Sequence, residues 1–213
     1  MDISKQWVYR IIPINNLEKD ITNGLFSKNS APIDENRVVI GNSEIINERD
    51  NRTVRCFPET VVNDYVPFYF SVRTPMLYNI ITGYGVPTKP QEDIIYLCCK
   101  LQDLANGNFQ WCFTDGNAAK IITKFYDAID QLDELDWKSI NTEDFRTDNS
   151  DGNEDRIRQK HSEFLILNHV PASKIKAVVV LNSNAEKRVK AILDTCQVSL
   201  NVYINPKKKF YFL

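Results

Sequence analysis

Apolar residues recur along this chain in short runs that polar turns separate. Runs rich in β-branched and aromatic residues predict strands, and apolar residues spaced three or four positions apart predict helices. By these criteria, strands are predicted at residues 7–14, 37–41, 94–100, 109–114, 163–167, 175–181, 198–204 and 210–213. Helices are predicted at residues 17–21, 43–49, 75–81, 119–129 and 183–195.

The order of these elements favours an α+β fold. Strands do not alternate regularly with helices, and no internal repeat is visible, which argues against a doubly wound sheet. Residues 109–114 are expected to pair antiparallel with residues 94–100, because the polar segment 105–108 supplies a turn. The 213 residues, with 43% hydrophobic and 25% charged side chains, are typical of one compact domain. We therefore expect residues 1–213 to form a single domain.

Several bulk properties narrow the class of protein. No apolar run approaches the roughly 20 residues that cross a bilayer, and the first residues lack the basic start and apolar stretch of a signal peptide. We therefore expect a cytoplasmic protein with no membrane partner. The five cysteines include no CxxC pair, and Cys98, Cys99 and Cys112 lie in apolar runs, where buried reduced thiols are the favoured interpretation. Two histidines are too few for a histidine-rich metal site.

The net charge of −2 conceals an asymmetry along the chain. Residues 130–155 carry ten acidic and two basic side chains, so this segment has a local charge of −8. The remainder has 18 acidic and 24 basic residues, a charge of +6, which is enough to attract a polyanion such as nucleic acid. The same counts fit charges that are scattered over solvated faces, so both interpretations stay open.

Aromatic residues are densest between Asp64 and Tyr78. Two prolines interrupt this stretch, so it does not predict one long central strand. Because side chains alternate between the two faces of a strand, we expect Tyr65 and Tyr69 to face a ligand. The alternate positions, Val66, Phe68 and Phe70, are then expected to support the core.

Glu163 is the leading candidate for catalysis. It stands between a polar segment, residues 147–155, which predicts a mobile loop, and an apolar strand. Four basic or imidazole side chains precede it: Arg156, Arg158, Lys160 and His161. Such neighbours keep a carboxylate ionised, and an ionised carboxylate can stabilise an oxocarbenium ion or accept a proton. On the residues alone, a surface glutamate that begins a strand is the favoured interpretation, because most exposed acidic side chains only solvate a surface.

The aromatic stretch and the segment Arg158–Ile166 together resemble the signatures of the DarT toxins, which are ADP-ribosyltransferases of DNA. In that family the glutamate of the second segment is catalytic, and only Glu163 occupies its place here. His161 and Ser162 stand where the family usually has glutamine and alanine. We therefore predict that Glu163 is catalytic, and the two differences leave the choice of target base open.

Four further segments match the family in the same order. Residues 9–17 resemble its first strand and turn, with Pro13 in place of a histidine that helps to hold NAD. Residues 23–27 and 115–119 resemble a glycine turn and a Thr-Asp-x-Asn-Ala block. Arg49 lies near the place of the family's NAD-handling arginine, where Arg52 and Arg55 are alternatives.

The resemblance implies an ADP-ribosyltransferase-like fold with a split, mostly antiparallel central β-sheet flanked by helices. It implies transfer of ADP-ribose from NAD to a base of DNA, expected to be single-stranded, with release of nicotinamide and without a metal. The implied partners are DNA and an antitoxin of the DarG type, whose macrodomain removes the modification. The implied catalytic residues are Glu163 and Arg49. The implied NAD-binding residues are Asn15, Asn23, Gly24, Leu25, Arg49, Tyr65, Tyr69, Arg73 and Met76. The implied DNA-binding residues are Arg156, Arg158 and His161.

Three points stay open on sequence alone. The acceptor base is thymine or guanine. An ADP-ribosyltransferase that modifies protein or RNA is one alternative to the DNA enzyme, and a nucleic-acid-binding module without NAD chemistry is the other.

Overall fold

The computed structural model describes residues 2–145 and 152–212. Its strands are β1 (Trp7–Pro13), β2 (Leu25–Phe26), β3 (Thr53–Val54), β4 (Phe57–Val61), β5 (Tyr65–Tyr69), β6 (Ile94–Lys100), β7 (Trp111–Thr114), β8 (Phe125–Tyr126), β9 (Glu163–Leu167), β10 (His169–Val170), β11 (Ile175–Val180) and β12 (Asn201–Ile204). Its α-helices are α1 (Leu17–Asn23), α2 (Ser43–Asp50), α3 (Pro75–Thr82), α4 (Leu101–Ala105), α5 (Trp137–Asn141), α6 (Arg156–Lys160) and α7 (Ser183–Thr195). Short 3₁₀ turns join several of these elements.

The described strands form one large sheet in the order β12-β11-β6-β1-β5-β9-β7-β8, together with two small two-stranded ladders. Every neighbouring pair in the large sheet is antiparallel except β11 and β12. Helices α1 and α7 cover one face, where their apolar side chains join those of β1, β5, β6 and β11 in one buried cluster. The predicted α+β fold with a mostly antiparallel sheet is confirmed.

The large sheet is split between β1 and β5. β1 pairs along its whole length with β6 and β5 with β9, but β1 and β5 meet only at Tyr9 and Tyr69. The Pro67 carbonyl accepts a hydrogen bond of 3.1 Å from the Arg10 guanidinium, so the nitrogen of Pro67 also faces this gap. A proline nitrogen has no hydrogen to donate to a neighbouring strand. Pro67 is therefore accommodated in an interior strand because the ladder is already open there, and a cleft results.

Two helices show clearly why the sequence places them where it does. Helix α3 begins with the Thr74 side chain accepting from the Leu77 amide and with Pro75 at its first position. It ends at Gly83, whose φ of 78° is left-handed. Helix α7 has the predicted bounds and buries Ala185, Val189 and Leu193 on one side.

Two predicted strands are wrong because side chains satisfy the backbone instead of a ladder. Residues 37–41 are irregular, since the Asn16 side chain bonds both the amide and the carbonyl of Val38. Residues 210–212 are also irregular. The Tyr211 hydroxyl donates to the carbonyls of Ile94 and Val179, and this anchors the segment without strand pairing.

Two other expectations are also wrong. The segment 109–114 does not pair with 94–100, because α4 follows β6 directly and carries the chain away, so β7 pairs with β8 and β9. Residues 119–129 form turns and β8 rather than a helix. Arg52 bonds the carbonyls of Ile121 and Thr123, which a helix would use internally. The predicted strand at residues 198–204 is shorter than expected, at Asn201–Ile204.

The remaining expectations concern loops, thiols and membranes. Most of the predicted loop 147–155 lies outside the described residues, which resume at Gly152. Cys98, Cys99 and Cys112 are buried free thiols, as predicted. Within 2–145 and 152–212, no helix has both the length and the apolar character needed to cross a bilayer. The same residues contain no group of three potential metal ligands among His, Cys, Asp and Glu.

Candidate active site

A cavity of about 440 Å³ occupies the split between β1 and β5. The irregular segment 37–42 and helix α2 form its opposite wall, and Asn117 and the start of β9 close one end. Six of the residues predicted as catalytic, NAD-binding or DNA-binding line it: Arg49, Tyr65, Tyr69, Met76, His161 and Glu163. The structure thus gathers residues that lie up to 114 positions apart.

Glu163 and Arg49 form a bidentate ion pair at one end of this cavity. The two guanidinium–carboxylate distances are 2.9 and 3.0 Å, and the exposed fractions of the side chains are 12% for Arg49 and 2% for Glu163. The Ala118 amide lies 3.4 Å from Glu163 Oε1, and the Glu163 amide donates to Thr114 Oγ1 at 3.1 Å. Glu163 is therefore a buried carboxylate in a fixed orientation, and not a surface residue.

Local structure brings each partner to this position. Glu163 is the first residue of β9 and lies opposite Tyr69 of β5. Arg49 lies in the last turn of α2, which the Asn42 side chain caps by accepting from the Glu44 and Ile45 amides. Arg52, an alternative to Arg49 on sequence, instead bonds backbone carbonyls beside Phe125. Arg49 is therefore the arginine that contacts the candidate catalytic carboxylate.

Burial and this charge pair set the protonation of the neighbouring groups. Burial by itself lowers the pKa of Arg49, but the adjacent Glu163 carboxylate outweighs it and the pKa is raised. Burial raises the pKa of Tyr69 well above its ordinary value, and Glu163 adds to that effect. Burial lowers the pKa of His161. Near neutral pH the site therefore holds a cationic Arg49, a neutral phenol and a neutral imidazole.

The aromatic stretch divides as alternation predicts. Val66, Phe68 and Phe70 are fully buried in the core. Tyr65 and Tyr69 lie on the cavity side of the sheet. The Tyr69 hydroxyl lies 3.2 Å from the Met76 sulfur. The side chains predicted to support the core are confirmed there, and contact between the two tyrosines and a ligand stays a prediction.

The glycine turn supports the site from outside the cavity. His169 Nε2 bonds the Asn23 carbonyl at 2.8 Å, and a Cβ on Gly24, whose φ is +86°, would lie 2.4 Å from that nitrogen. Leu25 is fully buried and pairs with Val170. Asn15 is exposed, and its neighbour Asn16 lines the cavity instead.

The other predicted arginines also lie away from the cavity wall. Arg73 donates to the carbonyls of Tyr211 and Lys208 and pairs with Glu143. Arg158 pairs with Asp115 and Asp155. Arg156 lines a smaller polar cavity of about 220 Å³. Their assignments to NAD or DNA stay predictions.

Sequence reasoning missed three cations that line the cavity, Arg10, Lys28 and Arg37. Arg37 pairs with the buried Asp20 at 2.9 Å. Arg10 donates to the Pro67 carbonyl, and its Nε is buried without a partner among the described residues. Burial lowers the pKa of Arg10. The Asp20 carboxylate opposes this change, and the positive charges of Arg37 and Arg49 add to it. A charged residue inside the apolar run of β1 was the signal that could have identified it.

A split antiparallel sheet with an arginine-held glutamate at the edge of the split defines an ADP-ribosyltransferase-like class of enzyme. Comparison with known proteins identifies the family. The family model described as "ssDNA thymidine ADP-ribosyltransferase, DarT" matches residues 9–212, so this chain belongs to the DarT family. A "DNA ADP-ribosyl transferase" of Escherichia coli O127:H6 (strain E2348/69 / EPEC) is 31% identical over 209 residues, which are 98% of this chain and 94% of the relative.

Solved structures give the same result. Thermus sp. 2.9 DarT in complex with ADP-ribosylated ssDNA has a TM-score of 0.87 and 27% identity, and the match covers 97% of this chain and 96% of that chain. The NAD⁺ complex of the same Thermus protein has a TM-score of 0.82 and 26% identity, with coverages of 97% and 98%. The predicted family and NAD-dependent DNA ADP-ribosyltransferase activity are confirmed.

Proposed function

We propose that this chain transfers ADP-ribose from NAD to thymidine in single-stranded DNA, with Glu163 as the catalytic residue and Arg49 as the residue that positions it. The observation that carries this proposal is the buried, bidentate Arg49–Glu163 pair inside the cavity at the sheet split. The description of the matching family supports thymidine as the acceptor. The chain's match to the ADP-ribosylated-ssDNA complex along 97% of its length supports a single strand as the substrate.

The cations of the cavity support a place for the NAD pyrophosphate. Arg10, Lys28 and Arg37 line the cavity, and the Nε of Arg10, which has no partner among the described residues, is a buried donor that an anion would satisfy. Arg49 is occupied on both sides of its guanidinium fork by Glu163. Arg49 is predicted both to bind NAD and to act in catalysis, and this geometry favours the catalytic role.

The chemistry needs a carboxylate where positive charge develops. When the bond between the ribosyl carbon and the nicotinamide nitrogen breaks, its electron pair leaves with nicotinamide and the ribosyl carbon becomes cationic. Glu163, buried and paired with Arg49, stabilises that cation in a site with little water to screen it. The neutral Tyr69 phenol and the Met76 thioether line the same cavity and add no competing charge.

The acceptor must then lose a proton. Within the thymine base the N–H group is at N3, so N3 forms the new bond to the ribosyl carbon and its proton passes to the Glu163 carboxylate. The neutral His161 lines the same cavity, with its Nδ1 3.0 Å from the Ile157 carbonyl. We propose that His161 contacts the acceptor base, which makes it the DNA-binding residue that the geometry favours most.

A panel of substrates tests this proposal. The wild-type protein is incubated with NAD and with single-stranded oligonucleotides that each lack one base, with duplex DNA, with RNA and with a protein mixture, and products are weighed by mass spectrometry. We expect one added ADP-ribosyl group on thymidine-containing single strands and none on the strand without thymidine. Modification of the strand without thymidine would reject thymidine, and modification of protein or RNA alone would reject DNA as the substrate.

The family also supports a wider biological setting. We propose that the chain acts as a toxin in the cytoplasm as one ADP-ribosyltransferase domain, and that a DarG-type macrodomain reverses its product. Purified macrodomain added to ADP-ribosylated oligonucleotide should restore the original mass. Persistence of the added mass would contradict this partnership.

A further inference from the structure

Three isoleucines are exposed around the end of the cavity that holds Glu163. The exposed fractions are 78% for Ile121, 69% for Ile122 and 40% for Ile157. We call these three residues the isoleucine rim. Single exposed apolar residues are common on proteins, so exposure alone does not set this group apart. Two other features distinguish this group: its firm attachment to the protein and its position beside the cavity.

The turn that carries Ile121 and Ile122 is firmly attached. Arg52 donates to the Ile121 carbonyl at 3.0 Å and to the Thr123 carbonyl at 3.2 Å. The Asn117 carbonyl accepts from the Lys120 amide and from the Thr123 hydroxyl. The buried Thr123 side chain also accepts from Arg158. The protein therefore fixes a turn whose two largest apolar side chains point into solvent.

This turn begins at the catalytic pair. Asn117 lines the cavity, and the amide of Ala118 lies 3.4 Å from Glu163. On the other side Lys120 pairs with Glu48, the residue before Arg49, at 3.5 Å. The third isoleucine, Ile157, lies on α6, which is joined to the turn because the Asn117 amide donates to the Arg158 carbonyl. The rim is thus joined to the end of the cavity that Asn117 and Glu163 line.

We propose that the isoleucine rim packs against the faces of the nucleobases that flank the target base in single-stranded DNA. This inference rests on the proposed function and adds the residues that hold the strand. The faces of unpaired bases are flat and largely apolar, and they are exposed only in a single strand. Two exposed lysines, Lys120 and Lys124, flank the isoleucine pair and supply charge for the phosphates. The Lys120–Glu48 pair is half exposed and weak enough to open for this purpose.

The double variant Ile121→Ser, Ile122→Ser tests the proposal, with Ile204→Ser as a matched control. Ile204 is 46% exposed on β12, at the opposite end of the large sheet from β8. Because all three side chains are exposed, both variants should fold. We expect the KM for a thymidine-containing oligonucleotide to rise about tenfold in the double variant and to stay unchanged in the control. The Kd for NAD should be unchanged in both.

A second substrate separates base packing from other effects. Abasic sites are placed on both sides of the target thymidine, so that the phosphates remain and the flanking bases are removed. The wild type should then lose the same tenfold, and the double variant should lose nothing further. The proposal is overturned if the double variant has the wild-type KM on the intact oligonucleotide. It is also overturned if the double variant's KM exceeds that of the wild type by the same factor on the intact and the abasic oligonucleotides. Absence of any DNA product from the wild type overturns the proposed function instead.

Discussion

At the scale of single residues, the site is an arrangement of buried charges whose costs are met by specific partners. Glu163 forms an ion pair with Arg49, and Arg37 forms one with Asp20. The shortest guanidinium–carboxylate distance is 2.9 Å in each pair. Among the described residues, the Arg10 guanidinium donates to the Pro67 carbonyl and faces no carboxylate partner within ion-pair distance. Removing one member of a buried pair leaves an uncompensated charge, whereas removing an unpaired charge relieves a cost that folding already carries. These two cases predict opposite effects on stability.

Arg49→Met should lower the free energy of unfolding by about 3 to 5 kcal/mol, because it leaves the buried Glu163 carboxyl without its partner. Adding Glu163→Gln to that variant should recover a large part of the loss, since the remaining group is neutral. Urea denaturation of the two variants and the wild type measures both values. If the double variant were less stable than Arg49→Met, the loss of stability in Arg49→Met would not come from leaving Glu163 without its partner.

Arg10→Met should weaken NAD binding about 10- to 100-fold, which is the worth of charge-assisted hydrogen bonds to a phosphate. The free energy of unfolding should stay equal or rise, because the variant no longer buries an unpaired guanidinium. Arg52→Met is the matched control, since Arg52 Nε is also buried without a partner among the described residues but lies outside the cavity lining. Calorimetric titration with NAD should give the control the wild-type Kd, and an equal Kd for Arg10→Met would remove Arg10 from the NAD site.

At the scale of elements, short helices close the site through side chains rather than through their own packing. Lys160 on α6 donates to the carbonyl of Ile140 at the end of α5, at 2.7 Å, and to that of Thr142 at 2.8 Å. The ammonium group is buried. Burial, with Arg73 adding to it and Glu143 opposing it, lowers the pKa of Lys160 to about 8. The joint between α5 and α6 is therefore sensitive to pH.

The direction of this sensitivity follows from linkage. An unfolded chain releases the lysine proton near its ordinary pKa of 10.5, and the folded chain releases it near 8. Between these values the unfolded state binds more protons, so stability rises with pH. From pH 8 to pH 9.5 the free energy of unfolding should rise by about 1 to 2 kcal/mol more in the wild type than in Lys160→Met. Parallel pH curves for the two proteins would contradict a depressed pKa.

The same scale shows what the sequence could predict. Helices α3 and α7 and strands β1, β6, β9 and β11 were found because their caps and apolar patterns are local. Residues 37–41, 119–129 and 210–212 were misassigned because distant side chains, those of Asn16, Arg52 and Tyr211, set their backbone. No local pattern encodes such contacts.

The residues of the candidate site, like the helices and strands, could be predicted only in part from the sequence. Glu163 and Arg49 came from motifs, and the division of the aromatic stretch came from alternation along β5. Arg10 was read as part of an apolar strand, because nothing in its neighbours announces that the sheet opens beside it. Its role depends on a strand 57 residues away, and only the fold reveals that neighbour.

At the scale of the whole molecule, the net charge of −2 combines an acidic segment of −8 with a remainder of +6. If the basic remainder contacts the strand, raising the salt concentration from roughly 50 to 200 mM should raise the KM for an oligonucleotide about tenfold or more, because bound counterions are no longer released favourably. Steady-state kinetics at several salt concentrations measures this slope. A KM that does not change with salt would favour charges scattered over solvated faces.

The central claim is that the buried Glu163 carboxylate performs the transfer. The most direct measurement is the single-turnover rate of ADP-ribose addition to a thymidine-containing oligonucleotide by Glu163→Gln and by the wild type. NAD-induced thermal stabilisation, measured on both proteins, shows that the variant folds and binds NAD. We predict that the variant keeps this stabilisation and loses about a thousandfold in rate. A variant that binds NAD and reacts within about tenfold of the wild type would contradict the account.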